Sequence, residues 1–517
     1  MATPQEKLAE SLDVLKALQD AGTVAIRSSD LSRTHRERLL RNGFLRPVVK
    51  GWYIAGHPDE PAGESTIWYS AFWPFCAGYL AERFGERWCL SPEQSLALHV
   101  GNQTVPHQLT VRAPEGGNKP TVLPFDTSLF DVRARLPPTR SMVEMDNLRL
   151  YSLPAALIEV PPTYFQRSAI DARAALASIR DASEVLGLLL EGGHSTIAGR
   201  LAGAFRNIGR IRIAEDILSA MRSADFDVRE HDPFATSPVA GVSHRGVSPF
   251  TSRLSLMWST MRNEVIDLFP VAPGRPNDTD AYLKKVSDTY ATDAYHSLSI
   301  EGYRVSPALI NRVRSGEWNP ETDAQDRVLQ DALAARGYWL AHQAVLNGLK
   351  AVLAGENPGI LVEHEHGSWY RELFAPSVAA GILRPSDLAG YRSGPVFIRR
   401  SKHVPPSPRA VRDAMPVLFG LLSEEADPAV RAVLGHFVFV YIHPYPDGNG
   451  RLGRLLMNVM LASGGYPWTV VPVDMRSAYM DALEQASARQ EIAPFAAFLG
   501  ELVRTSLIGK QQARLPE

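Results

Sequence analysis

Cysteine is nearly absent: 517 residues hold only Cys76 and Cys89. One possible pair cannot staple a chain of this length, so a disulfide framework is excluded and a reducing compartment is expected. Long apolar runs are missing too, with no stretch of about 18 apolar residues to span a bilayer. The start, MATPQEKLAESLD, lacks the basic-then-apolar pattern of a secretory signal. These absences lead to the expectation of a cytoplasmic protein without a membrane partner. Neither sign of charge is in excess: 54 Lys and Arg face 56 Asp and Glu, a net charge of -2. Only a local patch, therefore, could attract a polyanion. The phosphate-loop pattern G-x-x-x-x-G-K-[ST] does not occur, and no internal repeat is visible. The one biased tract is 226–252, rich in Pro, Ser and Gly, which reads as a linker.

What is present is ordinary globular material, 45% hydrophobic and 21% charged, long enough for two to four domains. In residues 1–57, KLAESLDVLKALQDAG has apolar residues at helical spacing, with Gly22 as a stop. The stretch SSDLSRTHRERLLRNGFLRPVVKGWYIAG then reads as a short helix, a second helix through Arg41, a turn at Gly43 and two strands. That order is helix-turn-helix plus wing. Between Arg27 and Lys50 seven basic residues stand against two acids, the electrostatic footprint of a phosphate-contacting surface. Arg33, Arg36 and Arg38 are the candidate DNA contacts, set against a solvated helix face as the plain alternative. Residues 58–225 change texture. HQLTVRA, TVLPF, LFDVRARL and NLRLYSL alternate like short strands of a small α/β module, and an Ala- and Leu-rich helical region follows.

The chemistry concentrates in HPYPDGNGRLGR, His443 to Arg454. Upstream, DPAVRAVLGHFVFVYI is apolar on almost every side and must be buried. Downstream, RLGRLLMNVMLASGG is rich in helix formers and ends at Gly464-Gly465. A glycine-rich loop thus opens into a helix N-terminus, where unpaired N–H groups and the helix dipole make an anion site. GNGRLG also satisfies the dinucleotide fingerprint, with Asp474 as a candidate ribose ligand. Against that reading, five residues separate the would-be strand from the first glycine, Asp447 would face a pyrophosphate, and about forty residues after Asp474 cannot complete a doubly wound sheet. Phosphoryl or nucleotidyl transfer uses every polar residue instead. Arg451 and Arg454 share one helix face and can grip a polyphosphate. Asp447 can hold Mg²⁺. The N–H groups of Gly448 to Gly450, with the Asn449 side chain, can stabilise charge on the attacked phosphate, and His443 can take a proton.

These twelve residues resemble the Fic family signature, H-x-F-x-[DE]-[AG]-N-[GK]-R-x-x-R, at every defined position except Tyr445, where phenylalanine is usual. The resemblance extends over about 280–505, through AGYRSGPVFIRRSKHVPPSP, similar to the family's flap segment, and GGYPWTVVPVDMRSAYMDALEQA, similar to the segment after the motif helix. It implies a mainly α fold: an all-helical Fic core with a β-hairpin flap over residues 253–510, preceded by the winged-helix unit and the small α/β module. It also implies that FVFVYI is helical. The activity implied is transfer of AMP from ATP to a hydroxyl of a target protein. His443 would be the base, and Asn449, Arg451 and Arg454 would assist catalysis. Gly448, Asn449, Gly450, Arg451, Arg454 and Tyr479 would bind nucleotide, and Asp447 the Mg²⁺. Val396, Phe397 and Ile398 of the flap would register the target by strand addition. The stretch Ser297 to Gly302 fits the family's inhibitory pattern [ST]-x-x-x-E-[GN], so that Ser297, Glu301 and Gly302 would form an inhibitory helix end, with Glu301 on Arg454. The N-terminal half resembles the AbiEi-type antitoxin and regulator proteins in LLRNGFLRPVVKGWYIAG, CLSPEQSLALHVGN and YSLPAALIEV, which implies a DNA-binding winged helix.

His364 to Gly367, HEHG, reads as a loop without a third metal ligand, His403 as a flap residue, and His436 as a core histidine. Two function classes stay open: an autoinhibited adenylyltransferase tethered to a DNA-binding regulator, and a transcriptional regulator whose Fic unit senses nucleotide. Within the first, transfer of another phosphate-containing group, or removal of AMP, remains an alternative.

Overall fold

A computed structural model describes residues 3–58, 64–234, 248–317, 330–510 and 513–516. The protein is mainly α, with three small sheets. It divides into two compact units: Met1–Arg253 with Phe397–Val404, and Leu254–Val396 with Pro405–Glu517.

The first unit opens with the helix Pro4–Asp20, started by a capping box between Thr3 and Glu6. The helix Arg33–Arg41 follows, and a three-stranded antiparallel sheet of Ile26–Arg27, Trp52–Ala55 and Leu45–Val49 closes the subdomain. Leu15, Ile26, Leu31, Leu39 and Leu45 form its core. The short helix expected at Ser28–Asp30 is a turn. Asp30 accepts from the backbone N–H of Arg27 at 2.8 Å and from its Nε at 3.0 Å, and these local bonds compete with helix formation. The next module is a four-stranded sheet in which Gln108–Ala113 and Thr127–Arg133 run parallel at the centre. The helix Thr66–Phe84 lays Trp68, Phe72, Phe75 and Leu80 on Val111 and Leu129. Helices from Leu153 to Ser223 complete the unit. Of the expected linker, 235–247 lie outside the described residues, and Pro249 onward is already helical.

The segment Phe397–Val404 is built into this first unit. Arg399 pairs with the buried Glu64 at 2.6 Å, the Arg400 N–H donates to Thr66 Oγ1, and the Lys402 carbonyl accepts from Val105 N–H. Val404 packs on the core below. The expected β-hairpin flap is therefore corrected. Val396–Ile398 have no regular secondary structure, Arg399–Arg400 form a turn closed by Ser401 N–H on the Ile398 carbonyl, and no strand is formed. Pro395, Pro405 and Pro406 lack ladder donors, and the backbone groups of Arg400 and Lys402 are committed elsewhere.

Among the described residues the second unit is all helix and loop. The segment FVFVYI lies in the helix Pro428–Ile442, as burial demands: Asp427 caps the N–H groups of Ala429 and Val430, and Pro428 takes the first position. β-Branched residues disfavour helix only weakly, and packing against Asn449–Ser463 overrides that preference.

Candidate active site

The helix Pro428–Ile442 ends at His443, whose backbone is left-handed at φ 53° and ψ 61°. A β-carbon in that region costs energy, so the surroundings must hold it. Arg392 does so. Its guanidinium is 3% exposed and donates from Nε to the His443 carbonyl at 2.8 Å, from Nη1 to Gly394 at 3.0 Å and from Nη2 to the Pro406 carbonyl. Its own N–H donates to the Pro444 carbonyl. Three carbonyls on the guanidinium and a fourth on the backbone N–H fix the loop, and burial pulls the Arg392 pKa down to about 10. Nothing in the sequence distinguished Arg392 from its neighbours; only the fold brings those carbonyls together.

The His443 Nδ1 lies 3.2 Å from the Val440 carbonyl. A carbonyl can only accept, so Nδ1 carries the proton and Nε2 keeps its lone pair. Burial, reinforced by the Arg392 charge, pushes the His443 pKa down to about 4. The imidazole is thus neutral at physiological pH and free to accept a proton.

Gly448 is left-handed at φ 80° and starts the helix Asn449–Ser463. The Asn449 amide bridges the turn: Oδ1 accepts from Tyr445 N–H at 2.9 Å and Nδ2 donates to the Tyr445 carbonyl at 2.8 Å. Both its polar atoms brace the loop, and the second Nδ2 N–H and the backbone N–H groups are what remain for an anion. Tyr445 stacks on Tyr370 with ring centroids 3.9 Å apart, so the ring keeps the packing expected of phenylalanine.

Arg451 and Arg454 are both buried. Arg451 sits over Tyr303 and Phe374, at 5.2 and 5.1 Å from the ring centroids. Arg454 donates from Nε to Ser297 Oγ at 3.0 Å and from Nη2 to the Ser297 carbonyl at 3.0 Å and Glu301 Oε1 at 2.7 Å. Its Nη1 has no partner among the described residues. The Glu301 carboxylate also lies against Gly450: a β-carbon there would stand 2.3 Å from Glu301 Oε1. Only glycine lets an anion approach the helix start so closely. Burial opposes ionisation of Glu301, but the Arg454 and Arg451 charges outweigh it and hold its pKa low. Burial likewise opposes the Arg454 charge, and Glu301 more than compensates. Gly302, at φ 95°, ends the helix Thr279–Ile300 and turns the chain away.

Asp447 is 65% exposed, accepts from Gly448 N–H at 2.6 Å and faces Arg451 Nη2 at 3.3 Å. No group of three or more candidate metal ligands occurs among the described residues. One exposed carboxylate suits an ion that keeps its waters and takes phosphate oxygens. Tyr479 is 1% exposed, and its hydroxyl meets His436 Nε2 at 2.7 Å. His364 to Gly367 lie in the helix Pro358–Ala379, not in a loop, and His366 bonds Val362 and Tyr391 as a structural residue. His403 is buried in the first unit. Among the expected DNA contacts, Arg33 pairs with Glu37 on the surface, Arg36 reaches the Ser28 carbonyl, and Arg38 folds back on Ser11 and the Lys7 carbonyl.

Residues 366–461 match the family model described as the Fic/DOC family. Over these residues the chain carries a Fic domain. It is 28% identical over 233 residues to a protein named protein adenylyltransferase Fic from Culex quinquefasciatus, covering 44% of this chain and 43% of that one. It is 26% identical over 232 residues to protein adenylyltransferase fic-1 from Caenorhabditis elegans, covering 44% and 42%. The chain thus spans less than half the length of these curated relatives. Among solved structures, the Fic-domain signaling protein from Bacteroides thetaiotaomicron covers 49% of this chain and 95% of its own, at 21% identity and a TM-score of 0.34. C. elegans Fic-1 (residues 134–508) covers 66% and 96%, at 17% identity and a TM-score of 0.37. Among the described residues no helix is long and apolar enough to cross a membrane.

Proposed function

We propose that this Fic-domain protein is an autoinhibited protein adenylyltransferase that moves AMP from ATP to a Ser, Thr or Tyr hydroxyl of a target protein. One observation carries the reading. The Glu301 carboxylate occupies the anion site at Gly450 and Arg454, on the same loop and helix start as a neutral histidine whose Nε2 has no hydrogen-bond partner among the described residues. A triphosphate competes for that place, so ATP binds productively only after Glu301 leaves.

His443 Nε2 then takes the proton of the target hydroxyl. The oxygen forms its bond to the α-phosphorus as the bond to the bridging oxygen of pyrophosphate breaks, leaving AMP on the target. The loop N–H groups around Gly448 to Gly450 meet charge growing on the α-phosphate, and Arg451 and Arg454 hold the β- and γ-phosphates. Asp447 would hold Mg²⁺, which when bound neutralises phosphate charge. The names of the curated relatives agree with this chemistry.

The test is incubation with ATP labelled at either the α- or the γ-phosphate, alongside α-labelled UTP. Label retained on protein from α-labelled ATP alone is expected. Retention of γ-label, or transfer only from UTP, would overturn adenylyl transfer.

For the first unit we infer binding of DNA through the helix Arg33–Arg41 and the strands Leu45–Val49 and Trp52–Ala55. The exposed Arg33 and Arg41 support this reading better than Arg38, which is committed to Ser11. Charge reversal at Arg33 and Arg41 is expected to weaken retention on duplex DNA in a salt-dependent way; unchanged retention would remove the inference. Two unpaired, buried thiols, Cys76 and Cys89, support a reducing compartment such as the cytoplasm.

A further inference from the structure

The helix Thr279–Ile300 and its C-cap present three polar residues at a spacing of four: Asp293, Ser297 and Glu301. This spacing places them along one face. The reading above uses the last two and leaves Asp293 without a task. Asp293 is 3% exposed, which is an expensive place for a carboxylate. Its Oδ2 accepts from the hydroxyl of Tyr338 at 2.7 Å, and Tyr338 is itself fully buried on the helix Gln330–Ala354. The Ser297 hydroxyl lies against the same phenol, and Ser297 Oγ accepts from Arg454 Nε at 3.0 Å. Arg454 Nε–H donates to Ser297 and Tyr338 O–H donates to Asp293, with the Ser297 hydroxyl and the phenol adjacent between them. The carboxylate thus lies at the far end of a buried polar row that begins on the arginine of the anion site.

We propose that Asp293 is a positioning residue for Arg454: acting through Tyr338 and Ser297, it fixes the guanidinium edge-on and supplies the counter-charge that remains once Glu301 has left. The proposal rests on the functional reading above. With Nε and Nη2 both held by Ser297, Nη1 is left beside Gly450 at the helix start, where it has no partner among the described residues. Without the anchor, Arg454 would be a buried cation free to rotate, and part of the affinity for triphosphate would be spent on ordering it.

The groups facing Asp293 are Tyr338, the Trp468 indole, Tyr290 on its own helix and the Arg454 charge. Burial raises its pKa to about 6, with Tyr338 and Arg454 opposing the rise. Asp293 is thus ionised above about pH 6 and neutral below. A carboxyl whose folded pKa lies above its unfolded one weakens the fold when ionised, and the penalty disappears as pH falls through the folded pKa. Positioning and stability are then expected to move in opposite directions.

The experiment compares full-length Glu301→Gly with Glu301→Gly/Asp293→Asn and Glu301→Gly/Tyr338→Phe. ATP binding is measured by titration calorimetry from pH 5 to 8, the melting temperature is measured at pH 8, and KM and kcat are measured for transfer. In Glu301→Gly, affinity for ATP is expected to fall as pH drops through about 6. Asp293→Asn is expected to weaken binding at pH 8 about tenfold, chiefly in KM, to flatten that step, and to leave the melting temperature equal or higher. Titration of ATP itself is common to all variants and cancels in the comparison. Tyr338→Phe is expected to weaken binding in the same direction. Unchanged ATP affinity in both double variants would overturn the proposal, as would a loss of affinity matched by a lower melting temperature in Asp293→Asn. Failure of Glu301→Gly itself to bind ATP would overturn the functional reading and this inference with it.

Discussion

Replacing Glu301 by glycine removes one charge-assisted hydrogen bond and empties the anion site at the start of the motif helix. The bond is 2.7 Å long, Arg454 is 3% exposed, and the Glu301 side chain is 28% exposed, so the pair is largely shielded from water. A hydrogen bond to a charged partner in such a setting contributes about 2–3 kcal/mol. ATP must forgo that amount to displace the carboxylate in the unaltered protein. Converted to affinity, the variant is expected to gain about 30- to 150-fold in kcat/KM for transfer. Folding stability moves the other way and by less, because Arg454 keeps both bonds to Ser297. The assay is incorporation of α-labelled ATP by the purified protein, self-modification included, with melting temperature read in parallel. A variant that folds and binds ATP but shows no gain would refute the assignment of Glu301 as the inhibitory group.

Arg392→Met removes the guanidinium's bonds to the His443, Gly394 and Pro406 carbonyls and leaves left-handed His443 unsupported; we expect a loss of about 3 kcal/mol in urea unfolding and a fall in kcat of about 100-fold in the Glu301→Gly background. Glu64→Gln, in the first unit, removes the ionic partner of Arg399 from a buried site. Burial raises the Glu64 pKa, but Thr66 and Arg399 overcome it and hold the value below the ordinary one. Its stabilisation is therefore present above about pH 4.5 and lost as pH falls, so the variant is expected to be less stable at pH 7 by about 2 kcal/mol, with the difference shrinking in acid. The lowered His443 pKa has a kinetic consequence. At saturating ATP, kcat of Glu301→Gly is expected to stay level from about pH 5.5 to 7.5, because the neutral base persists throughout; a limb near pH 6.5 would contradict that environment.

The twelve residues from His443 to Arg454 were legible because each chemical type has few uses at that spacing, and the fold brings His443, the glycine turn and both arginines to one helix start. Ser297 and Glu301 were legible as a short pattern, and the Arg454 contact bears out the expected pairing. Other features depend on distance in space. Arg392 gains importance only from the four carbonyls that converge on it, and Asp293 only from a phenol 45 positions later. The Asn449 amide also bridges Tyr445, a contact made by loop geometry that residue type alone does not reveal. The family resemblance implied a hairpin around Val396–Ile398, yet flanking prolines and the Glu64 and Val105 partners of the residues that follow leave it without a ladder. Ser28–Asp30 reads as helix by its neighbours and folds as a turn through the Asp30 side chain.

The proposed role of His443 is that of a base acting on a triphosphate held where Glu301 now sits. Intact-mass measurement tests it directly: Glu301→Gly and Glu301→Gly/His443→Ala are each incubated with ATP and Mg²⁺. The first is expected to gain the mass of an AMP group and the second to remain unmodified while still binding ATP; equal modification of the two would contradict the account.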